Sequence, residues 1–264
     1  MALEILEDPR LKAVDWKDLM ELKRWEVAWE LVISTPWLLA SLWAAQAGLW
    51  PVALGCSFMF FLCGLRQVHN AFHLAIGVPK KVHDWVQFIL SPLMMSAMHA
   101  VEFNHLRHHA HCMDEEDIEA KSALMPGWQA LLFGPKFPVM LHHAALTKGK
   151  ARTKRWVYAE LTAMVGMVVA AITLDYTWLR YHVIAMTVGQ CFSAFFAVWT
   201  VHHDCDRSHF IARTIRSPFK ALVTYDMFYH VEHHLFPAVP TCKLPQLAKR
   251  LDVVAPELKS KVVF

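Results

Sequence analysis

No Asp, Glu, Lys or Arg occurs between Leu31 and Leu65. A surface helix of a soluble protein needs a solvated polar face, so the gap excludes an ordinary soluble fold for this stretch. Other absences narrow the function. The six cysteines (Cys56, Cys63, Cys112, Cys191, Cys205, Cys242) contain no C-x-x-C, which excludes a rubredoxin-type iron site and a zinc ribbon. Cys56, Cys63 and Cys191 lie in apolar runs and read as buried thiols. There is no G-x-S-x-G and no P-loop. A metalloprotease needs H-E-x-x-H, but Asn70 stands where that glutamate would be, between His69 and His73. The net charge is only +3, and no basic, aromatic-interleaved stripe points to nucleic acid. Residues 1–24 are charged and lack an apolar core segment, so no signal peptide is expected.

Hydrophobic residues, by contrast, are abundant. They make up 56% of the 264 residues, and mean hydropathy is positive; soluble domains usually hold ~45–50%. The uncharged run of 35 residues is longer than the ~20 that one span needs. The turn signal at Gly48-Leu49-Trp50-Pro51 divides it into a helical hairpin, 28–48 and 51–73. A second apolar pair, 157–178 and 181–203, is separated by residues 175–180. The shorter apolar stretch Trp85–Val101, with Pro92 early in it, reads as an interfacial or re-entrant helix. The expected fold is thus all-α: one membrane domain over 1–264, with four transmembrane helices in two hairpins and a cytoplasmic histidine-rich cap. Its parts are a polar head (1–26), a first hairpin (27–73), a cytoplasmic or interfacial segment (74–156), a second hairpin (157–203) and a polar tail (204–264). An amphipathic interfacial helix is expected in the head.

Charge sets the orientation. Head, middle and tail carry five, ten and nine Lys/Arg, whereas the 48–51 turn has none and the 175–180 turn one. The positive-inside rule then places both termini, the middle segment and every histidine cluster on the cytoplasmic side.

Those clusters carry the chemistry. His105-Leu106-Arg107-His108-His109 and His230-Val231-Glu232-His233-His234 both read H-x-x-H-H, and His69 and His73 stand at i and i+4. Positions i, i+3 and i+4 share one side of a helix, so each pentapeptide aims its imidazoles at a common region. His202 and His203 close the fourth helix. Eight imidazoles in three converging sets, with that pair to spare, exceed one mononuclear site and suit two metal ions. Each ligating ring needs an acceptor for its outer N–H; Asp204, Asp226 and Glu232 are the candidates, with Glu102 and Asp114 also nearby. His83, His99, His142, His143, His182 and His209 stand alone and read as hydrogen-bonded interfacial residues; His111 lies nearest the clusters. A ferritin-like di-iron site needs two E-x-x-H motifs, and only Glu102 to His105 is present. A metal transporter or sensor is the rival from another class, but transporters place polar groups near mid-span, and here they sit at helix ends.

H-x3-H followed by two H-x-x-H-H boxes on two membrane hairpins resembles the membrane fatty acid desaturase and hydroxylase superfamily. The segment from Tyr229 to Pro237 is especially similar to its third histidine box, and the resemblance runs from about residue 69 to 245. It implies an O2-dependent enzyme with two non-haem iron ions. The ligands implied are His69, His73, His105, His108, His109, His230, His233 and His234, with His202 as a ninth and His203 as fallback. A hydrogen atom is taken from an unactivated C–H bond; a second abstraction gives an alkene, oxygen rebound an alcohol. Electrons are expected from a separate ferredoxin, rubredoxin or cytochrome b5 type protein, and the substrate is a fatty-acyl or other lipid-like chain. Many members carry Asp where this chain has Asn70. The compact layout, without a fused cytochrome b5 domain, is similar to carotenoid ketolases and short bacterial hydroxylases, which form the alternative reading.

Overall fold

A computed structural model describes residues 4–264; regular structure among them is helical, apart from one isolated bridge between Thr214 and Val262. Helices α1 (Arg24–Val32) and α2 (Thr35–Gln46) form one apolar stretch broken at Ile33 and Ser34. Pro36 is tolerated there because the first helical turn has no partner for its missing N–H. The chain reverses at Gly48, whose φ of 74° favours glycine. It then enters α3 (Trp50–Phe72), which carries Pro51 in its first turn. The two apolar stretches, Arg24–Gln46 and Trp50–Phe72, are joined by the reversal at Gly48.

Next come α4 (Lys80–Met94) and α5 (Met98–His111), folded against each other at 112°. Pro92 stays inside α4. The break falls three residues later, where Met95 adopts a left-handed φ of 53° and the Ser91 hydroxyl accepts from the Met98 N–H at 2.9 Å. After α6 (Lys136–Lys148) the second pair follows, α7 (Ala151–Thr173) and α8 (Thr177–Gln190). Beyond α8 the chain continues through a π-helical segment, Ala194–Trp199, to Thr200–His202, bent by 45°. A π-turn adds a residue to the helical repeat, which redirects the end of the span. The last helices are α9 (His230–Leu235) and α10 (Leu244–Val254).

Three stretches among the described residues are long and apolar enough to cross a membrane, or up to five if each bent pair counts as one. The second pair starts earlier than expected, since α7 takes in Arg152, Lys154 and Arg155 in its first turns. Long cationic side chains can extend from a span to the headgroups, so charge does not end the helix.

The head departs from expectation. Its short turns, Glu4–Glu7, Pro9–Lys12 and Lys17–Met20, do not form an amphipathic interfacial helix. Leu11 and Leu19 are instead buried with Leu244, Leu247 and Leu251 of α10 in one core. Arg250–Asp18 and Arg10–Glu257 tie the two ends at the surface. Burying each such leucine contributes roughly 1.5–3 kcal/mol.

Below this cap a buried polar network locks α1, α3 and the tail together. Arg66 pairs with Glu30, their side chains 4% and 1% exposed, and donates to the Tyr225 carbonyl at 2.8 Å. The Asn70 amide donates to Glu30 at 2.9 Å, and its oxygen accepts from the Thr241 hydroxyl and N–H at 2.7 and 3.2 Å. Removing one member of such a buried pair costs about 3–5 kcal/mol, because the other charge is left without a partner.

Candidate metal centre

The ends of α3 and α5, the Thr200–His202 turn and α9 meet at one place, and their clustered rings form two adjoining groups. His69, His73, His105, His109 and His233 make one; His108, His202, His230 and His234 make the other. Within each group every residue has a ligand atom within 4.8 Å of all the others. The groups touch through ring stacking, with His109 against His234 at 4.3 Å between centroids.

The four-membered group is a closed ring of Nε2 atoms. His108 to His202 is 3.1 Å, His202 to His230 3.0 Å, His230 to His234 3.2 Å and His234 to His108 3.2 Å. The centre of a ring with such edges lies roughly 2 Å from each corner (half the diagonal of the square), the length of a metal–imidazole bond at ~2.0–2.1 Å. In the five-membered group Nε2 atoms also meet: His73 and His105 at 3.1 Å, His105 and His109 at 3.2 Å, His109 and His233 at 2.9 Å.

The outer nitrogens decide what these contacts mean. Nδ1 of His108 lies 2.7 Å from Asp117, Nδ1 of His105 2.9 Å from Glu119, and Nδ1 of His202 3.0 Å from the Ile211 carbonyl. All three partners are acceptors, so each Nδ1 carries a proton, and wherever the ring is neutral its Nε2 presents a lone pair to the centre. His108 and His202 then aim two lone pairs at each other across 3.1 Å. Such a pair is repulsive unless a proton or a metal ion stands between the two nitrogens. His69 adds a second sign, since it is buried and neither of its ring nitrogens has a hydrogen-bond partner. An all-imidazole donor set of this kind fits iron, and equally zinc or copper.

Electrostatics keeps the three rings of α9 neutral. Burial pushes the His230, His233 and His234 imidazoles well below their ordinary range, and neighbouring rings push them further. Burial alone would raise the Asp117 carboxyl. The bond to His108, its charge, and the N–H groups of Met113 and Ala120 outweigh that and hold it at about 2. Cys112 lies beside Asp117 on the outer side of His108. Burial pushes its thiol upward, away from the thiolate form.

All eight box histidines and His202 fall in the two groups. His203 does not: its ring stacks flat on Trp199 at 3.9 Å, and its Nδ1 bonds the Trp199 carbonyl. Among the expected supporting carboxylates, none of Asp204, Asp226 and Glu232 hydrogen-bonds a ring of either group. Asp204 faces out toward Arg213 at 3.3 Å. Asp226 sits half-buried near Arg66, its carboxyl raised by burial. Glu232 turns away from its own box to accept from Thr214 at 2.7 Å and pair with Arg216 at 2.6 Å. A helix that aims histidines i, i+3 and i+4 inward must send i+2 to the far side. The carboxylates that do hold rings, Asp117 and Glu119, belong to the acidic run just after the first H-x-x-H-H. The lone histidines lie elsewhere: His99 on Glu160 at 2.6 Å, His182 on the Leu93 carbonyl at 2.9 Å and His142 on the Pro138 carbonyl at 2.6 Å.

Comparison with known proteins agrees with this geometry. The family described as Fatty acid desaturase matches residues 22–263, nearly the whole chain. The chain belongs to that family. Membership implies an oxidoreductase of the di-iron desaturase and hydroxylase type, acting on lipid at a membrane, and the two histidine groups are compatible with it. The comparison with individual curated proteins returned no match.

Proposed function

We propose that this protein is an O2-dependent oxidoreductase that desaturates or hydroxylates an unactivated C–H bond of a fatty-acyl or similar hydrocarbon chain. The single observation that carries the reading is the convergence of four buried imidazoles, His108, His202, His230 and His234, on one closed ring of Nε2 atoms. His69, His73, His105, His109 and His233 would hold one iron ion, and His108, His202, His230 and His234 the other. When bound, the irons supply O2 activation, with electrons from a separate ferredoxin, rubredoxin or cytochrome b5 type protein.

The chain's own residues do the rest. Asp117, Glu119 and the Ile211 carbonyl fix which ring nitrogen faces the centre, and they set the ring planes. Apolar side chains from α3, α8 and the segment before α9 border the histidines and keep water from the reacting carbon. Substrate placement then decides between alkene and alcohol, because both follow one hydrogen abstraction. The histidines and both termini are proposed to face the cytoplasm, supported by the five, ten and nine Lys/Arg of head, middle and tail against one in the 175–180 turn.

The test is turnover. Iron-loaded protein in lipid, with O2 and a reduced electron carrier, should oxidise a long-chain lipid, with the product identified by mass spectrometry. A carotenoid product without any acyl or alkyl product would replace the substrate class. Metal flux across vesicles without any oxidation would replace the function.

A further inference from the structure

An apolar groove of about 680 Å³ runs between α3 and α8 and ends on His230. On α3 its wall descends from Trp50 to Leu65, ~22 Å at 1.5 Å per residue. That is most of the ~30 Å hydrocarbon core of a bilayer. Thr177, Arg180 and Tyr181 stand at the far mouth, and Val201, the neighbour of His202, stands near the inner end. The walls are open sideways: Phe58 and Ile184 are 56% and 65% exposed, so the groove faces lipid along its length.

A second, smaller pocket continues from it. Phe61, Leu65, Ala197, Met227 and His230 border both spaces, so one opens into the other at the histidines. The inner pocket is bordered by His69, His105 and His230 and closed by Met94, Met98 and Phe137. Its volume is about 70 Å³, less than half of the roughly 150 Å³ of an engineered cavity that takes benzene. A ring does not fit there, nor does a chain that continues far beyond the histidines. The tip of an unbranched chain does.

We propose that the substrate is a long unbranched hydrocarbon chain that lies across the bilayer between α3 and α8 and is oxidised near its free end. The chain enters sideways from lipid, its tip passes Ala197, and its other end reaches Arg180 and Tyr181. The inference rests on the oxidation reading above and deepens it by naming the shape of the substrate and the site of attack. For hydroxylation, a C–H bond near the tip breaks and a C–O bond forms. One oxygen atom of O2 enters the alcohol and the other leaves as water, using two electrons from a reduced iron–sulfur or haem carrier protein and two protons. For desaturation, two adjacent C–H bonds break, a C=C bond forms, and both oxygen atoms leave as water with the same two electrons and two protons.

Metal-free protein in lipid vesicles tests the placement without turnover. Saturated fatty acids carrying a photoreactive diazirine at the terminal carbon or at mid-chain are cross-linked, and the labelled peptides are mapped by mass spectrometry. The terminal probe should label Met94, Met98 or Phe137, and the mid-chain probe Phe58 or Ile184. The opposite order, equal labelling of both sites, or no labelling at either overturns the inference. Ala197→Trp should abolish terminal labelling of the inner pocket while mid-chain labelling of the groove persists, which also shows that the variant is folded; unchanged inner labelling overturns it. With iron and a reduced carrier, oxidation in the middle of a chain overturns this inference alone. Oxidation of no hydrocarbon at all overturns the proposed function instead.

Discussion

The two histidine groups are made from the same motif in opposite proportions. On α5, His105 and His109 go to the five-membered group and His108 to the four-membered one. On α9 the division is reversed: His230 and His234 serve the four-membered group and His233 the other. Helical geometry explains this, since i and i+4 lie about 40° apart around the axis while i+3 falls on the other side of i, at 3.6 residues per turn. One pentapeptide therefore faces two points at once. The difference lies in the remaining partners. The five-membered group takes a second pair from α3, His69 and His73, whereas the four-membered group receives only His202. All four of its rings are buried, while His73 and His109 of the other group are partly open. A fully enclosed set has no ring to spare; the more open set has one.

The largest expected effect breaks that asymmetry. His202→Ala should leave no more than one metal per chain and reduce oxidation to background, whereas His203→Ala should leave both unchanged, by metal analysis and turnover. His73→Ala, which leaves four rings, should retain more metal than His202→Ala; the reverse order would show that the comparison is wrong. His105→Ala and His233→Ala should lose activity, because each removes a ring from the centre.

The carboxylates sharpen the comparison at the next level. Asp117→Asn should weaken metal binding about 10–100-fold, the usual cost of losing an outer partner of a ligating histidine. Glu119→Gln should cost less, since Glu119 keeps a partly exposed side chain, 12% against 1% for Asp117. Competition titrations with a chelator would rank the two.

A pH series separates metal-free from loaded protein. The His230, His233 and His234 imidazoles are held below their ordinary range by burial and by one another, so the unfolded chain binds protons that the folded chain refuses. Stability of the metal-free protein should therefore fall as pH drops below about 6.5, the ordinary histidine value. Asp117 acts lower down. Its carboxyl is held at about 2, so its stabilising contribution is complete above its ordinary value of 3.8 and disappears as pH falls toward 2. Thermal melts from pH 8 to 5 should show a rising Tm with pH in the metal-free form. The smallest effect belongs to Asp204→Asn and Asp226→Asn, for which metal content should match the parent, because neither carboxylate touches a ring.

How much of this could be read in the sequence depends on the range of the interaction. The boxes and the first apolar pair were legible because a helix fixes i, i+3 and i+4 on its own, and a chargeless run fixes membrane residence. The choice of His202 over His203 was legible only through the resemblance; the structure separates them by turning one ring inward and stacking the other on Trp199. The supporting carboxylates were misplaced because their positions follow from loop turns. Met113, between α5 and Asp117, takes a left-handed φ of 63°, and no spacing rule predicts that for methionine. Leu74, Asp204, Tyr225 and Asp226, each within five residues of a clustered histidine, are also left-handed. Such corners are held by their surroundings and are invisible to local propensity. The role of Asn70 was equally hidden. Beside Glu30 an amide donates where a second carboxylate would repel, which gives a physical reason for the departure from the commoner Asp.

The shared pentapeptides have a thermodynamic consequence. An ion that seats in either half must immobilise α5 and α9, and those same helices present rings to the other half. The ordering entropy is thus lost at the first binding event and need not be lost again, so the second ion binds to a chain already set for it. By reciprocity, occupancy of either position raises affinity at the other by the same factor. Empty and fully charged molecules should coexist while half-filled ones stay scarce, and the protein gains or loses its redox capacity as a unit.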